Sequence, residues 1–244
     1  IAIIPISFSV SPFMVFTDEM LTWPPDPDAW SLRWYKNMIG NCSADVVSST
    51  VPCSNKWMIG TVNSFFIGFI ATFIATTLGT LAALGLSRPH MPYKGLIMAI
   101  LISPMIVPLI ITAAGMFFFY ARINLVYSFT GIILAHVALA TPFVVITVTA
   151  TLVGFDMNMV KASQSLGARP VRTFFKIIMP LILPGVISGA LFAFITSFDE
   201  VVIVMFMASL DQLTIPKQMW AGIRQEISPV ILCMATCLVV LSIL

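Results

Sequence analysis

The sequence predicts an all-α, polytopic membrane protein, and three observations carry that prediction. First, 59% of the 244 residues are hydrophobic and only 9% are charged, with a mean hydropathy of +1.03. A soluble domain is about a quarter charged; a water-soluble fold could not hide so much apolar surface, so lipid is the solvent for most of the chain. Second, the apolar residues form continuous runs of spanning length, without the alternation of a membrane β-barrel strand, and this selects helices. Third, Lys and Arg are densest in alternate connections between the runs, as they are between membrane helices.

Taken in order, residues 1–17 are uncharged but marginal in length, since a span needs about 20 residues. The chain reads as cut at both ends. A cleaved signal peptide is disfavoured at the start, where there is neither a charged leading region nor a small-residue cleavage pattern. Residues 18–60 form a polar connection. Spanning runs follow at 61–86, 95–121, 131–155 and 181–210, the last broken only by Asp199 and Glu200, and a final apolar run begins near 227. The expectation is six transmembrane helices in a single domain over residues 1–244, with the first and last helices clipped.

Connections 87–94 and 156–180 hold Arg88, Lys94, Lys161, Arg169, Arg172 and Lys176, with Asp156 as their one acid. Connections 18–60, 122–130 and 211–226 spread as many basic residues over about twice the length and add Asp18, Glu19, Asp26, Asp28, Asp45, Asp211 and Glu226. The basic, acid-poor side faces the cytoplasm, which places both termini inside. Trp23, Trp30, Trp34, Trp57 and Trp220 all fall in the outward set, where an amphipathic ring suits the headgroup level. Cys42 and Cys53 share the long outward connection, an oxidising place; a disulfide between them stays open, because spacing does not show geometry. Cys233 and Cys237, four apart, read as packing residues on one helix face.

Small residues recur every fourth position at Ala71, Ala75, Gly79 and Ala83, and again at Gly185, Gly189, Ala193 and Ser197. Such stripes let helix backbones approach closely, either within this chain or at a subunit interface. Pro104, Pro108, Pro142 and Pro184 lie within apolar runs and predict kinks.

The inward segment 156–180, DMNMVKASQSLGARPVRTFFKIIMP, is too polar to span. Asp156 or Asn158 suits the cap of a short helix, and Gly167 suits its left-handed end. Pro170 suits the first turn of a second helix, with Phe174, Phe175, Ile177 and Ile178 giving it an apolar face. Helix, glycine turn and helix make a compact knob for a soluble partner.

At this segment the sequence resembles the inner-membrane permeases of ATP-binding-cassette importers. Their cytoplasmic motif is E-A-A, then Gly four residues after the second Ala, then I-x-L-P ten residues beyond that Gly. The matching positions are Lys161, Ala162, Ser163, Gly167, Ile177, Met179 and Pro180. Spacing fits throughout, while Glu, the second Ala and Leu have become Lys, Ser and Met. The chain is most similar to the spermidine/putrescine branch, through SLRWYKNMI from Ser31, TPFVVITV at 141–148 and SFDEVVIVMF at 197–206.

The resemblance implies that Lys161, Ala162, Ser163, Gly167 and Ala168 belong to a coupling helix seated in a groove of an ATPase subunit; Lys161 reverses the charge of the family's Glu there. It further implies a bacterial inner-membrane complex of this chain, a second homologous permease, two ATPase subunits and a periplasmic solute-binding protein. That protein would dock on the outward connections 18–60 and 211–226. ATP and Mg would be bound by the ATPases, with no cofactor in this chain. The implied solute is a polyamine. The same architecture imports opines, phosphonates and amino-acid derivatives.

Asp199 and Glu200 interrupt an apolar run, and a charge at a membrane centre costs at least ~2.5 kcal/mol. A straight helix puts Asp199 roughly 28 Å from Pro180, close to the outer boundary of the hydrocarbon. The pair lines a route for a cationic amine, bonds a polar or basic residue on a neighbouring helix or sister subunit, or forms a solvated rim. Sequence alone leaves the three open.

Other chemistries lack their residues. No G-x-x-x-x-G-K-S/T phosphate loop is present, so ATP hydrolysis belongs elsewhere. His90 and His136 are isolated, no metal-site spacing occurs, and no nucleophile–base constellation marks an enzyme. His136, within a span, reads as a packing or hydrogen-bonding residue. A net charge of +2 without a basic run gives no nucleic-acid surface. A self-sufficient secondary transporter or channel would show an inverted internal repeat, and none is visible.

Overall fold

The computed structural model describes residues 4, 7–9, 31–40, 55–88, 90–154, 156, 158–225 and 229–243. Among them the regular elements are helices. These are α1 (Arg33–Met38), α2 (Lys56–Leu86), α3 (Lys94–Ile106), α4 (Leu109–Arg122), α5 (Phe129–Val153), α6 (Asn158–Ser165) and α7 (Pro170–Thr173). A π turn, Phe174–Ile178, carries α7 into α8 (Met179–Phe198); α9 (Val202–Met207), α10 (Ile215–Gln225) and α11 (Pro229–Ile243) follow.

Among the described residues, three helices are long and apolar enough to cross a membrane: α2 with 31 residues, α5 with 25, and Pro170–Phe198 with 29. The run expected as one helix at 95–121 is instead a pair, α3 and α4, bent by 102°. Pro108 explains the break, since it donates no amide and forces the residue before it out of the helical region; Val107 is extended at φ −72°, ψ 135°. Pro104, Pro142 and Pro184 remain inside continuous helices. The six-helix count is thus not established by the described residues: its first helix lies largely outside them and its last, α11, is a shorter apolar helix.

The chain forms two compact units. In the one spanning Phe65–Ser209, α5 is the central rod, buried at Ile132, His136, Ala140, Val144 and Val148 among others. Both small-residue stripes lie against it. A Cβ on Gly79 would come within 2.7 Å of the Val144 side chain, one on Gly189 within 3.1 Å of the Val144 Cα, and one on Gly185 would collide with the Thr151 hydroxyl. The stripes are therefore internal helix contacts. Ala71, Ala75 and Ala83 are fully buried, while Phe73 on the same helix is 74% exposed. Small residues inside and large apolar ones outside is the arrangement lipid permits, because helices there gain by close packing rather than by escaping water.

The entry to α5 is tightly specified. The Ser128 hydroxyl accepts from the Gly131 amide at 3.0 Å and donates to the Leu125 carbonyl at 2.6 Å. Any Cβ at Gly131 would strike that carbonyl. Tyr127, at φ +61°, donates its amide to the Met207 carbonyl at 2.9 Å and so ties this turn to the end of α9.

In the other unit, Ile1–Ser64 with Leu210–Leu244, α1 packs on α11. Trp34 is fully buried, and its indole Nε1 donates to the Ser9 carbonyl at 2.9 Å. Trp57 is buried as well. These two rings are core residues, not headgroup anchors as their outward placement had suggested, because a buried polar partner satisfies the Trp34 N–H. Trp220, on α10, is exposed. Cys233 is buried with its thiol 3.4 Å from the Ser7 carbonyl, and Cys237 is partly buried one turn on, as packing residues should be. Cys42 and Cys53 lie outside the described residues.

Candidate functional site

Two places are built from the residues the sequence singled out. The first is the segment 156–180. Asp156 starts it by accepting the Asn158 amide on Oδ1 at 2.9 Å. The helix α6 closes with a paired backbone motif: the Ala168 amide donates to the Ser163 carbonyl at 3.1 Å and the Gly167 amide to the Gln164 carbonyl at 2.9 Å. That motif needs a left-handed residue, and Gly167 sits at φ +77° with open space where a Cβ would be. Its glycine is required by backbone conformation rather than by crowding. Arg169 is extended and Pro170 opens α7. The π turn ahead of Pro180 widens the helix at Lys176, the residue whose carbonyl a proline ring at 180 would crowd.

The segment projects apolar side chains into the open. Leu166 is 87% exposed, and Met159, Val171 and Phe175 are exposed too. Of the face expected at Phe174, Phe175, Ile177 and Ile178, Phe175 is fully outward and the others are half-buried. Lys161, Ala162 and Gly167 are exposed, Ala168 is half-buried, and Ser163 is buried. The Ser163 hydroxyl lies 2.9 Å from the Thr173 hydroxyl and 2.9 Å from the Val160 carbonyl. Thr173 had no signal in the sequence, since its pairing depends on how α7 turns back on α6.

The second place is the interruption at Asp199 and Glu200. The apolar run 181–210 is not one helix: α8 ends at Phe198 and α9 begins at Val202. Glu200 is buried and its Oε1 accepts the Ile203 amide at 2.9 Å, so its charge faces the positive end of α9. Asp199 is exposed, with its amide bonded to the Ile195 carbonyl at 3.0 Å. The two acids therefore differ in role: Glu200 caps the start of α9 inside the protein and Asp199 is presented. A cavity of about 350 Å³ lies here, lined by Leu109, Ile195, Thr196, Asp199, Glu200, Val201 and Val202. Leu109 is the first residue of α4, so the break at Pro108 and the break after Phe198 meet at one cavity. Sequence showed each interruption but not that they converge.

His136 holds the approach to this break. Its Nδ1 lies 2.8 Å from the Ser197 hydroxyl, joining α5 to the last turn of α8. Its Nε2 is buried with no partner among the described residues. The other histidine, His90, is exposed on the connection 87–94. Among the described residues no three His, Cys, Asp or Glu side chains are grouped to hold a metal ion.

Residues 75–244 match the family of binding-protein-dependent transport system inner membrane components. The chain belongs to that family. As a permease component of ATP-binding-cassette importers of the bacterial inner membrane, it is a transport subunit and not an enzyme, and the family works with ATPase and binding-protein partners. This permease is 29% identical over 214 residues to the spermidine/putrescine transport system permease protein PotC of Haemophilus influenzae, covering 88% of this chain and 78% of that protein. It is 33% identical over 175 residues to PotC of Escherichia coli K12, covering 72% of this chain and 66% of the relative. The putrescine transport system permease protein PotI of the same strain is 29% identical over 215 residues, covering 85% and 72%. In fold, the permease resembles a chain of a bacterial ABC transporter that imports the polysaccharide alginate, with TM-score 0.64, 15% identity and coverage of 91% and 71%. It also resembles a chain of the MetNI methionine transporter, with TM-score 0.59, 20% identity and coverage of 77% and 92%.

Proposed function

We propose that this permease carries a polyamine, spermidine or putrescine, across the bacterial inner membrane, with Asp199 contacting the cation on its way. The observation that carries the reading is the cavity where two interrupted helices meet beside an exposed carboxylate. Interrupted helices in transporters leave backbone groups unpaired at membrane depth, and these groups serve as ligands. Here α8 ends at the cavity, so its negative carbonyl end and the Asp199 charge favour an ammonium group. The polyamine relatives support the same class of solute.

In this reading residues 1–244 act as one permease domain with both termini in the cytoplasm. A periplasmic binding protein delivers solute to the outward connections 18–60 and 211–226. A second permease completes the path, and two ATPase subunits bind ATP and Mg. The segment 156–180 seats in the ATPase through α6, the exposed Leu166 and Val171 giving it an apolar contact of the kind that marks protein interaction surfaces. Closure of the ATPases is passed through α7 and the π turn to α8, whose far end borders the cavity.

The test is uptake of radiolabelled putrescine and spermidine into vesicles holding the whole complex and its binding protein. Asp199→Asn is expected to lower uptake of both while the complex still assembles. Normal uptake by an assembled Asp199→Asn complex would remove Asp199 from the path. Absent polyamine uptake, with ATP hydrolysis stimulated by a different solute, would keep the importer and discard the substrate.

A further inference from the structure

We propose that the hydrogen bond between Ser163 and Thr173 is a latch that makes the inward segment a rigid lever, so that a push on α6 turns the α7–α8 rod instead of flexing the chain at Gly167. This inference rests on the reading of that segment as the ATPase contact.

The geometry is specific. Ser163 is the one buried residue of α6, and Thr173 is the one buried residue of α7. They lie ten residues apart and their hydroxyls meet at 2.9 Å. The Ser163 hydroxyl has a single proton, which goes to the Val160 carbonyl at 2.9 Å. The Ser163 carbonyl meanwhile takes the Ala168 amide that closes the glycine turn. One residue therefore anchors the turn through its backbone and the second helix through its side chain.

Packing of α6 on α7 and on the π turn accompanies the bond, and the bond gives that packing a direction. Helices of eight and four residues do not hold themselves together. At Gly167 nothing occupies the place where a Cβ would be, so no side-chain contact at that position braces the turn. The apolar side chains that would otherwise pin α6 to α7, Leu166 and Val171, point into solvent. A directional bond in place of an apolar contact leaves those side chains free for a partner. The importer-permease motif that this segment resembles has Ala at the place of Ser163, so Ser163→Ala removes the hydroxyl without offering a foreign shape.

The experiment uses the complete complex in vesicles and reads solute uptake and ATP hydrolysis together. For Ser163→Ala and Thr173→Val, stimulation of hydrolysis by the binding protein should weaken, because that signal crosses the same latch. Solute moved per ATP should fall several-fold, up to about tenfold, the scale set by one buried hydrogen bond. The double variant should be no worse than either single variant, because both remove the same bond. Hydrogen exchange at the Leu166, Gly167 and Ala168 amides in the assembled complex should speed up in each, a readout independent of transport. Unchanged stoichiometry and exchange in both single variants, with Gly167→Trp still uncoupled, would overturn the latch and keep the ATPase contact. If Gly167→Trp and removal of the exposed Leu166 side chain also leave coupling and ATPase binding intact, the contact itself fails and the latch with it.

Discussion

Asp199 and Glu200 are adjacent in sequence yet answer to different physics. The Glu200 carboxylate accepts the Ile203 amide inside the protein, so the group that matters there is an acceptor oxygen. Glu200→Gln retains that oxygen and should leave thermal stability in detergent nearly unchanged. Glu200→Ala should lose about 1 kcal/mol, the usual cost of an uncapped amide. A drop in stability for Gln equal to that for Ala would show that the charge, not the bond, is required. Ser197→Ala makes a companion case: it strands the buried His136 Nδ1, and melting in lipid nanodiscs should register about 1–3 kcal/mol of destabilisation. At this scale the sequence was legible where a residue type has one backbone use. Gly167 and Pro170 were placeable because few other residues fit a left-handed end or a first helical turn. Thr173 and Ser163 were not, because hydroxyl pairing across a turn depends on rotation that no local pattern encodes. Trp34 misled for a related reason: a tryptophan between membrane helices ordinarily sits at the interface, and the Ser9 carbonyl that satisfies its buried N–H has no local signal.

At the scale of elements, apolar runs located the helices closely but hid their interruptions. Hydropathy barely changes across Val107 and Pro108, and the drop at Asp199 and Glu200 is only two residues long, too short to tell one interrupted helix from two. Pro108 was legible as a kink; the 102° angle follows from losing an amide and gaining an extended residue before it. Pro108→Ala should restore both conditions for a helix and reduce the bend between α3 and α4. Spin labels at exposed sites, Ile100 and Phe118, would report a longer separation; an unchanged distance would assign the bend to tertiary packing. The small-residue stripes were legible as stripes, whereas their partner was not, since any smooth helix face would serve. Gly189→Leu tests the assignment to α5. Its side chain would enter the space of Val144 and Thr147, and overpacking of this kind costs about 1–3 kcal/mol or more. Substitution at exposed Leu191 should be silent in the same folding assay.

At the scale of the molecule, the alternation of basic and acidic connections and the motif in residues 161–180 were sufficient in sequence to indicate a permease. The substrate path was less legible, because it is formed by side chains and helix ends that approach only after folding. The reading makes a sidedness prediction. A cysteine placed at Leu166, which is exposed, should react with a membrane-impermeant maleimide only in inside-out vesicles lacking the ATPase, and should be shielded once the ATPase is added. Labelling from the outside would invert the topology. Shielding that never appears would free the inward segment from its proposed partner.

The central position of α5 also has a consequence for biosynthesis. One of its sides is matched to a stripe on α2, made earlier, and another to a stripe on α8, made later. Over the stretch of translation that separates insertion of α5 from insertion of α8, α5 has its first neighbour and lacks its second. The threonines at 147 and 151, destined to meet Gly189 and Gly185, then face lipid or the insertion machinery. A pause in that stretch would lengthen the life of an incompletely clothed helix, the kind of species membrane quality-control proteases select. Synonymous codons that slow translation once α5 has left the ribosome and while α8 is still within it should therefore lower the yield of this protein without altering a single amino acid.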